Sequence, residues 1–249
     1  MGNPLLDDKV VLISGGTRGV GAGIARAAVR AGASVVVTGR QPHSVPGTHY
    51  VHADVSDVDS ARASAAAAVE RFGRIDCLVN AAGLTTRGTL LDTTPELFDR
   101  HVAVNLRGPF FLMQAAVADM VARGAGGTIV NIISTAEFGG QPYLAPYAAA
   151  KAGLAAATRN AAHAHRFDRI RINGLDIGWT DTEGEDAIQR TFHGAGDDWR
   201  EQAAKSLPMG KLGQVDEIAD FVVFLLSPRS GVVTGSVIDW DQQVFGATD

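Results

Sequence analysis

Val10-Val11-Leu12-Ile13-Ser14-Gly15-Gly16-Thr17-Arg18-Gly19-Val20-Gly21 is the stretch on which the fold turns. Four apolar residues, three of them β-branched, read as a short buried strand. A glycine cluster follows, and then a helical pattern begins near residue 19. A phosphate placed at a helix start needs bare backbone N–H groups and no Cβ in its way. Gly15 suits the tight turn, Gly19 the approach of a pyrophosphate, and Gly21 the close packing of helix on strand. A glycine cluster alone also fits a plain strand–helix turn. Its place directly after the first strand favours dinucleotide binding.

The same alternation runs outward through the chain. Val10–Ile13, Val35–Thr38, Tyr50–Ala53, Cys77–Val79, Ile129–Ile133, Ile170–Leu175 and Val237–Asp239 read as strands, apolar nearly throughout. Strands buried on both faces look like this. Helical patterns fall near 19–31, 56–72, 95–123, 147–166 and 215–226. Thr94 before Pro95 and Glu96 suits an N-cap with proline at the first helical position. The order strand–helix–strand predicts an α/β fold: a doubly wound, Rossmann-like parallel sheet with helices on both faces. No linker or repeat divides residues 1–249, so one domain is expected. Pro42, Pro46 and Gly47 forbid a regular helix between the second and third strands, which predicts an irregular loop there.

Composition narrows the function. The chain has 249 residues, 46% of them hydrophobic and 20% charged, as ordinary globular domains do. A net charge of -5 leaves no basic footprint for nucleic acid or an anionic membrane. Cys77 is the lone cysteine, so no internal disulfide forms, which fits a reducing, cytoplasmic setting. No apolar run is long enough to span a bilayer, and the N-terminus lacks a signal-peptide pattern. Met1-Gly2 begins like a myristoylation site, but Leu6 stands where Ser or Thr is required.

Chemistry concentrates past the middle. Tyr147 and Lys151 lie one helical turn apart and share a face. A phenol titrates near pH ~10 in water, and a neighbouring ammonium lowers that value. The pair is a sensible acid/base couple, although a packed tyrosine beside a surface lysine has the same spacing. Ser134 ends the fifth strand, and the turn-rich Phe138-Gly139-Gly140-Gln141-Pro142 returns the chain towards the phenol. Asp54 and Asn80-Ala81-Ala82-Gly83 follow the third and fourth strands, where open α/β sheets bind ligands.

These residues together resemble a classical short-chain dehydrogenase/reductase over nearly the whole chain. The likeness rests on the glycine turn (Ser14 replacing the family's Thr), Asn-Ala-Ala-Gly at 80–83, and an Asn-Ser-Tyr-Lys tetrad at Asn105, Ser134, Tyr147 and Lys151. The resemblance implies an oxidoreductase that moves a hydride between a nicotinamide cofactor and a carbonyl or alcohol. In such enzymes the tyrosine exchanges the proton and the serine orients the carbonyl. The lysine lowers the tyrosine's pKa and holds the nicotinamide ribose, and the asparagine backbone holds a relay water. The implied cofactor contacts are Gly15, Thr17, Arg18, Gly19, Val20 and Gly21 in the turn and Arg40 after the second strand. Asp54 and Val55, Asn80, Ala81 and Gly83, Tyr147 and Lys151, and Gly178, Thr180 and Thr182 complete the set. No metal is implied.

Besides Ser14, the chain departs from the family in three places. Asn173-Gly174-Leu175-Asp176-Ile177-Gly178 carries Ile177 where proline is usual. The crossover helix after the second strand is missing. Asp241-Gln242-Gln243 replaces the usual Asp-Gly-Gly.

Further expectations follow. The second strand ends Thr38-Gly39-Arg40, without the acidic residue that NAD-specific relatives use to hold the ribose hydroxyls. Arg40 and Arg18 suit a 2′-phosphate, so NADP(H) is favoured and NAD(H) is the alternative. Residues 183–214 are expected as a loop covering a small-molecule substrate. Glu183, Glu185, Asp186, Asp197 and Asp198 make it acidic, and Glu137 and Gln141 add polar groups to the pocket. That predicts a small polar substrate such as a sugar or polyol, and not a strongly anionic one. The Ala-rich helix at 147–166 has no solvated face, which together with the resemblance predicts a homo-oligomer, a tetramer. Two other functions fit parts of the pattern. A catalytically silent cofactor-binding sensor or scaffold is disfavoured by the complete tetrad. A sugar-nucleotide epimerase or dehydratase on a related fold needs a substrate domain for which 249 residues leave no room.

Overall fold

A computed structural model describes residues 4–244. Met1 and Gly2, on which the myristoylation reading rests, lie outside them. The described residues form one seven-stranded parallel sheet in the order β3-β2-β1-β4-β5-β6-β7. The strands are β1 (Val10–Ser14), β2 (Ser34–Gly39), β3 (Thr48–His52), β4 (Cys77–Asn80), β5 (Gly127–Ile132), β6 (Ile170–Ile177) and β7 (Val237–Trp240). The helices are α1 (Gly19–Arg30), α2 (Val58–Phe72), α3 (Pro95–Val102), α4 (Gly108–Arg123), α5 (Ala145–Ala164), α6 (Glu183–His193), α7 (Trp199–Ser206) and α8 (Val215–Leu226).

Alternate side chains of each central strand enter opposite cores, which is why the strands read as unbroken apolar runs. Val11, Ile13, Val35 and Val37 pack with Ile24 of α1 and Val222 of α8 on one face. Leu12, Val36, Leu78 and Ile129 pack with Leu112 of α4 and Leu154 of α5 on the other. Each such side chain, fully buried, contributes roughly 1.5–3 kcal/mol. Strand order reverses at β1, which lies between β2 and β4. The crevice beyond the carboxyl ends of β1 and β4 is the topological switch point, where such sheets bind ligands.

All seven expected strands are present, and Thr94 caps α3 by accepting the Leu97 N–H at 3.2 Å. The β2–β3 connection is irregular as expected, yet it is anchored. Val45 is buried in the core, and Gly47 takes φ +79° against Val29. The pattern over 95–123 is not one helix. A π-helical turn, Ala103–Arg107, separates α3 from α4. Its cause is Asn105, whose buried amide is held by Leu84 on both sides, accepting from its N–H at 2.9 Å and donating to its C=O at 3.0 Å.

Residues 183–214 are not an open loop. They fold into α6 and α7, joined through Gly194 in the left-handed conformation. Thr182 caps α6 by accepting the Glu185 N–H at 3.0 Å. Thr182-x-x-Glu185 is the sequence signature that would have located this helix. α6 buries no residue and is polar overall, so it does not look like a core helix.

Candidate active site

The glycine turn supplies the phosphate end. Gly15 has φ +68°, and a Cβ there would lie 2.6 Å from Ala82 Cα. At Gly21 a Cβ would strike the Gly15 carbonyl oxygen at 2.2 Å. The space at Gly19 is open, with Thr182 no nearer than 3.9 Å. Arg18 precedes α1 without a side-chain cap, so the first N–H groups of the helix have no side-chain acceptor from their N-cap. Open space over unclaimed donors at a helix N-terminus fits a pyrophosphate.

The adenine end is less filled. Gly39 closes β2, and a Cβ there would meet Thr17 Oγ1 at 2.6 Å. Thr17 thus occupies the room a side chain at 39 would need. Arg18 and Arg40 are exposed and have no ion-pair partner among the described residues. Asp54 accepts from the N–H and hydroxyl of Ser56 at 2.9 and 2.7 Å. Burial works to raise its pKa, but those bonds outweigh it and hold the carboxyl below its usual range. Val55 packs its carbonyl on Gly108 at the start of α4. Asn80 is fully buried and donates to Asn131 at 2.8 Å, which donates to Thr158 at 2.8 Å. Its side chain therefore ties β4 to β5 and α5. Ala81 continues the ladder by donating to the Ser14 carbonyl, and Gly83 is exposed at the mouth.

The catalytic cluster lies beside this crevice. Tyr147 and Lys151 project from the first turns of α5, both buried. Lys151 Nζ donates to the Ile132 carbonyl at 2.7 Å and stands 5.7 Å from the Tyr147 ring centroid. The Ser134 hydroxyl interacts with the Tyr147 phenol and accepts the Ala136 N–H at 3.2 Å. His101 meets the Tyr147 ring edge-on at 6.2 Å and shares its imidazole between the Thr86 carbonyl and the Asn105 amide. Asn105, Ser134, Tyr147 and Lys151 thus gather at one place.

Burial is the largest influence on the protonation of both groups. Burial pushes the phenol up to about 12, with only partial relief from Ser134 and Arg87. Burial also pushes Lys151 down to about 8. Enclosure disfavours the charged form of each group, so the phenol moves up and the ammonium down.

A cleft of about 1180 Å3 opens over Ser134 and Tyr147 and reaches Val20, Gly178, Thr180 and Thr182. Ile177, in the proline's place, pairs with Trp240 as the last residue of β6 and lines the cleft. The far wall carries Arg87, Gln141, Tyr143, Glu185 and His193. Sequence reasoning missed Arg87 and His193. Their side chains meet at 3.2 Å, with the Arg87 guanidinium over the Tyr143 ring at 5.1 Å. Only the return of α6 across the cleft brings them together.

The acidic lid does not act as one charge. Asp186 accepts from Arg190, Trp199 and Arg200, Asp181 pairs with Arg200, and Asp197 pairs with Arg190. Glu185 accepts from Trp179 and Gln189. These partners offset the charge on which the exclusion of anions rested. Glu137 also departs from expectation. Its carboxyl turns away from the cleft, towards Asp176 and Arg159.

A phosphate-ready turn at the switch point of a doubly wound sheet, beside a Ser-Tyr-Lys cluster, defines a class: the dinucleotide-binding α/β oxidoreductases. A family model described as enoyl-(acyl carrier protein) reductase matches residues 15–242. Trans-4-hydroxycyclohexanecarboxylate dehydrogenase of Sinomonas cyclohexanicum is 35% identical over 246 residues, covering 92% of this chain and 90% of its own. L-rhamnose 1-dehydrogenase (NAD(P)(+)) of Azotobacter vinelandii is 35% identical over 258 residues, covering 97% and 98%. Aldohexose dehydrogenase of Thermoplasma acidophilum superposes with a TM-score of 0.91 over 100% of both chains at 24% identity, a likeness of fold alone. The chain belongs to the short-chain dehydrogenase/reductase family. It is an NAD(P)-dependent oxidoreductase of that family, which disposes of the silent-scaffold reading.

Proposed function

We propose that this enzyme interconverts a small polar carbonyl compound and its secondary alcohol, with Tyr147 as the acid/base and NADP(H) as the preferred cofactor. The observation that carries the proposal is the Ser134–Tyr147 pair at the floor of the cleft, with Lys151 one turn behind it. A bound nicotinamide supplies or accepts the hydride. In reduction, the Tyr147 hydroxyl gives its proton to the substrate oxygen and Ser134 orients that oxygen. Lys151, freed from the Ile132 carbonyl or still bound to it, stabilises the phenolate left behind. In oxidation the same groups run in reverse. Asn105 contributes by opening the helix at its π turn, a device common at functional sites.

Gly15, Thr17, Gly19, Val20 and Gly21 would hold the pyrophosphate, with Asp54, Val55, Asn80, Ala81 and Gly83 along the nucleoside and Gly178, Thr180 and Thr182 at the nicotinamide. Thr182 spends an oxygen lone pair on capping α6 and keeps its O–H to donate. Arg40 and Arg18, unpaired and exposed at the adenine end, support the phosphorylated cofactor over NAD(H). The polar far wall of the cleft supports a hydroxyl-rich substrate, and a relative named for L-rhamnose points the same way. We further take the enzyme as cytoplasmic, in keeping with a single, buried Cys77, and as a homotetramer. Ala149 and Ala156 of α5 and Phe110 of α4, which is 48% exposed, offer a close-packing face for a second copy. Cofactor oxidation and reduction, followed by absorbance over a panel of polyols, sugars and ketones, tests the activity. Light scattering tests the assembly, and a monomer at micromolar concentration would remove it.

A further inference from the structure

Asp176 lies in β6, where it is the one acidic residue, and is wholly inaccessible to solvent. Neither of its carboxyl oxygens, nor Glu137 Oε2, has a hydrogen-bond partner of normal geometry among the described residues. The Glu137 carboxyl, carried by the turn after Ser134, lies against it. Asp239 of β7 is its register partner, and the Ser134 N–H faces it. Arg159 of α5 stands outside, 3.8 Å from Glu137 Oε1. On the inner side are Lys151 and Tyr147, both within electrostatic reach of Asp176.

Two ionised carboxylates offer each other only acceptors, and burying both leaves the repulsion and the desolvation cost unrelieved. One proton resolves this. It turns the contact into an O–H···O⁻ bond and satisfies two of the three orphaned oxygens. We propose that Asp176 and Glu137 hold one proton between them, and that this buried pair sets the charge felt by Lys151 and Tyr147, which makes Asp176 a positioning residue for proton transfer.

Titration follows the same geometry. Burial pushes Asp176 up to about 7, the charges of Glu137 and Asp239 add to it, and the Ser134 N–H opposes it. The pair therefore passes from one negative charge to two as pH rises through neutrality. The second charge acts on both neighbours in one sense, favouring the protonated forms of Lys151 and of Tyr147. The effect is to retain the proton donor at alkaline pH. The kinetic consequence rests on the role proposed for Tyr147, whereas the shared proton does not.

The test uses the full chain and two variants, Asp176→Asn and Glu137→Gln. Infrared titration of the protein alone should show the C=O band of a protonated carboxylic acid that disappears near neutral pH. Asp176→Asn should remove that transition. Glu137→Gln should move it to lower pH, because Asp176 loses a neighbouring charge. In the reductive direction, the alkaline limb of kcat/KM should fall by roughly one pH unit in Asp176→Asn. It should stay in place in Glu137→Gln, where Asp176 is still ionised at high pH. A wild-type protein with no such band, or one indifferent to both substitutions, overturns the shared proton. An alkaline limb that does not move in Asp176→Asn overturns the positioning role. Should Asp176→Asn not fold, the Glu137→Gln shift decides the pair by itself. The infrared result needs no turnover, so loss of the pair and loss of the hydride-transfer reading are told apart.

Discussion

Lys151 Nζ stands 5.7 Å from the centre of the Tyr147 ring while donating to the Ile132 carbonyl at 2.7 Å. The ammonium is thus held at the sheet edge, one turn behind the phenol whose charge it must balance. Lys151→Met should keep the fold and lose ~10²–10⁴-fold in kcat, the usual contribution of an acid/base element. Circular dichroism and steady-state rates check both halves. A kcat within tenfold of wild type would place the stabilising charge elsewhere.

Cofactor choice should rest on Arg40. Position 39 has no room for an acidic side chain beside Thr17, and Arg40 is unpaired just beyond it. Charge-assisted hydrogen bonds contribute ~1.5–3 kcal/mol, so one of them gives roughly tenfold preference. Wild type should show a higher kcat/KM with NADP(H), and Arg40→Ala should lose that advantage while NAD(H) efficiency stays. Equal efficiencies in wild type remove the argument. The anchoring of the preceding loop by Val45 makes a fixed position for Arg40 reasonable.

Arg87 should govern substrate binding more than chemistry. It reaches the cleft over Tyr143 and against His193, and its Nε has no partner among the described residues. Arg87→Ala should raise KM for oxygen-rich substrates by about tenfold, the weight of one charge-assisted bond, with a smaller change in kcat. If kcat falls and KM holds, Arg87 acts on the transition state instead.

Stability should fall as pH rises from about 4 to 7. The folded-state pKa of Asp176 is raised to about 7 from an ordinary 3.8, chiefly by burial. The folded chain therefore binds the proton more tightly, and that stabilisation is complete below the unfolded value and lost through the folded one. The contribution is on the order of a few kcal/mol. Lys151, lowered to about 8, works in the opposite sense at higher pH. Denaturant midpoints at pH 4 to 7 check it: Asp176→Asn should flatten the slope, and an unchanged slope in that variant would falsify the assignment.

Fold and site differ in how far the residues disclosed them. Val10–Gly21 and the apolar runs sufficed for the sheet, because a strand buried on both faces must be apolar throughout. Tyr147 and Lys151 were legible from helical spacing. The π turn at Asn105 was not, since it depends on Leu84, far away in sequence. Nor was α6, whose capping signature was present but whose residues are mostly polar and none buried. The acidic lid misled because α6 went unread: Arg190 pairs with Asp186 one turn away within it, and Arg200 reaches Asp181 and Asp186 only once α7 folds back. Asp176 did carry a signal, a lone acid inside a buried strand, but its partner Glu137 becomes visible only in three dimensions.

The central claim is that the Tyr147 hydroxyl moves the proton. The most direct measurement is turnover by Tyr147→Phe, with cofactor affinity measured alongside. The ring packs against Ala136 and Leu144, so phenylalanine should preserve the fold and leave cofactor binding nearly unchanged. Turnover should drop by at least ~10²-fold, as loss of a general acid/base requires. A variant that binds cofactor normally and keeps more than roughly a tenth of wild-type kcat would contradict the account, because that loss is far smaller than removal of the acid/base produces.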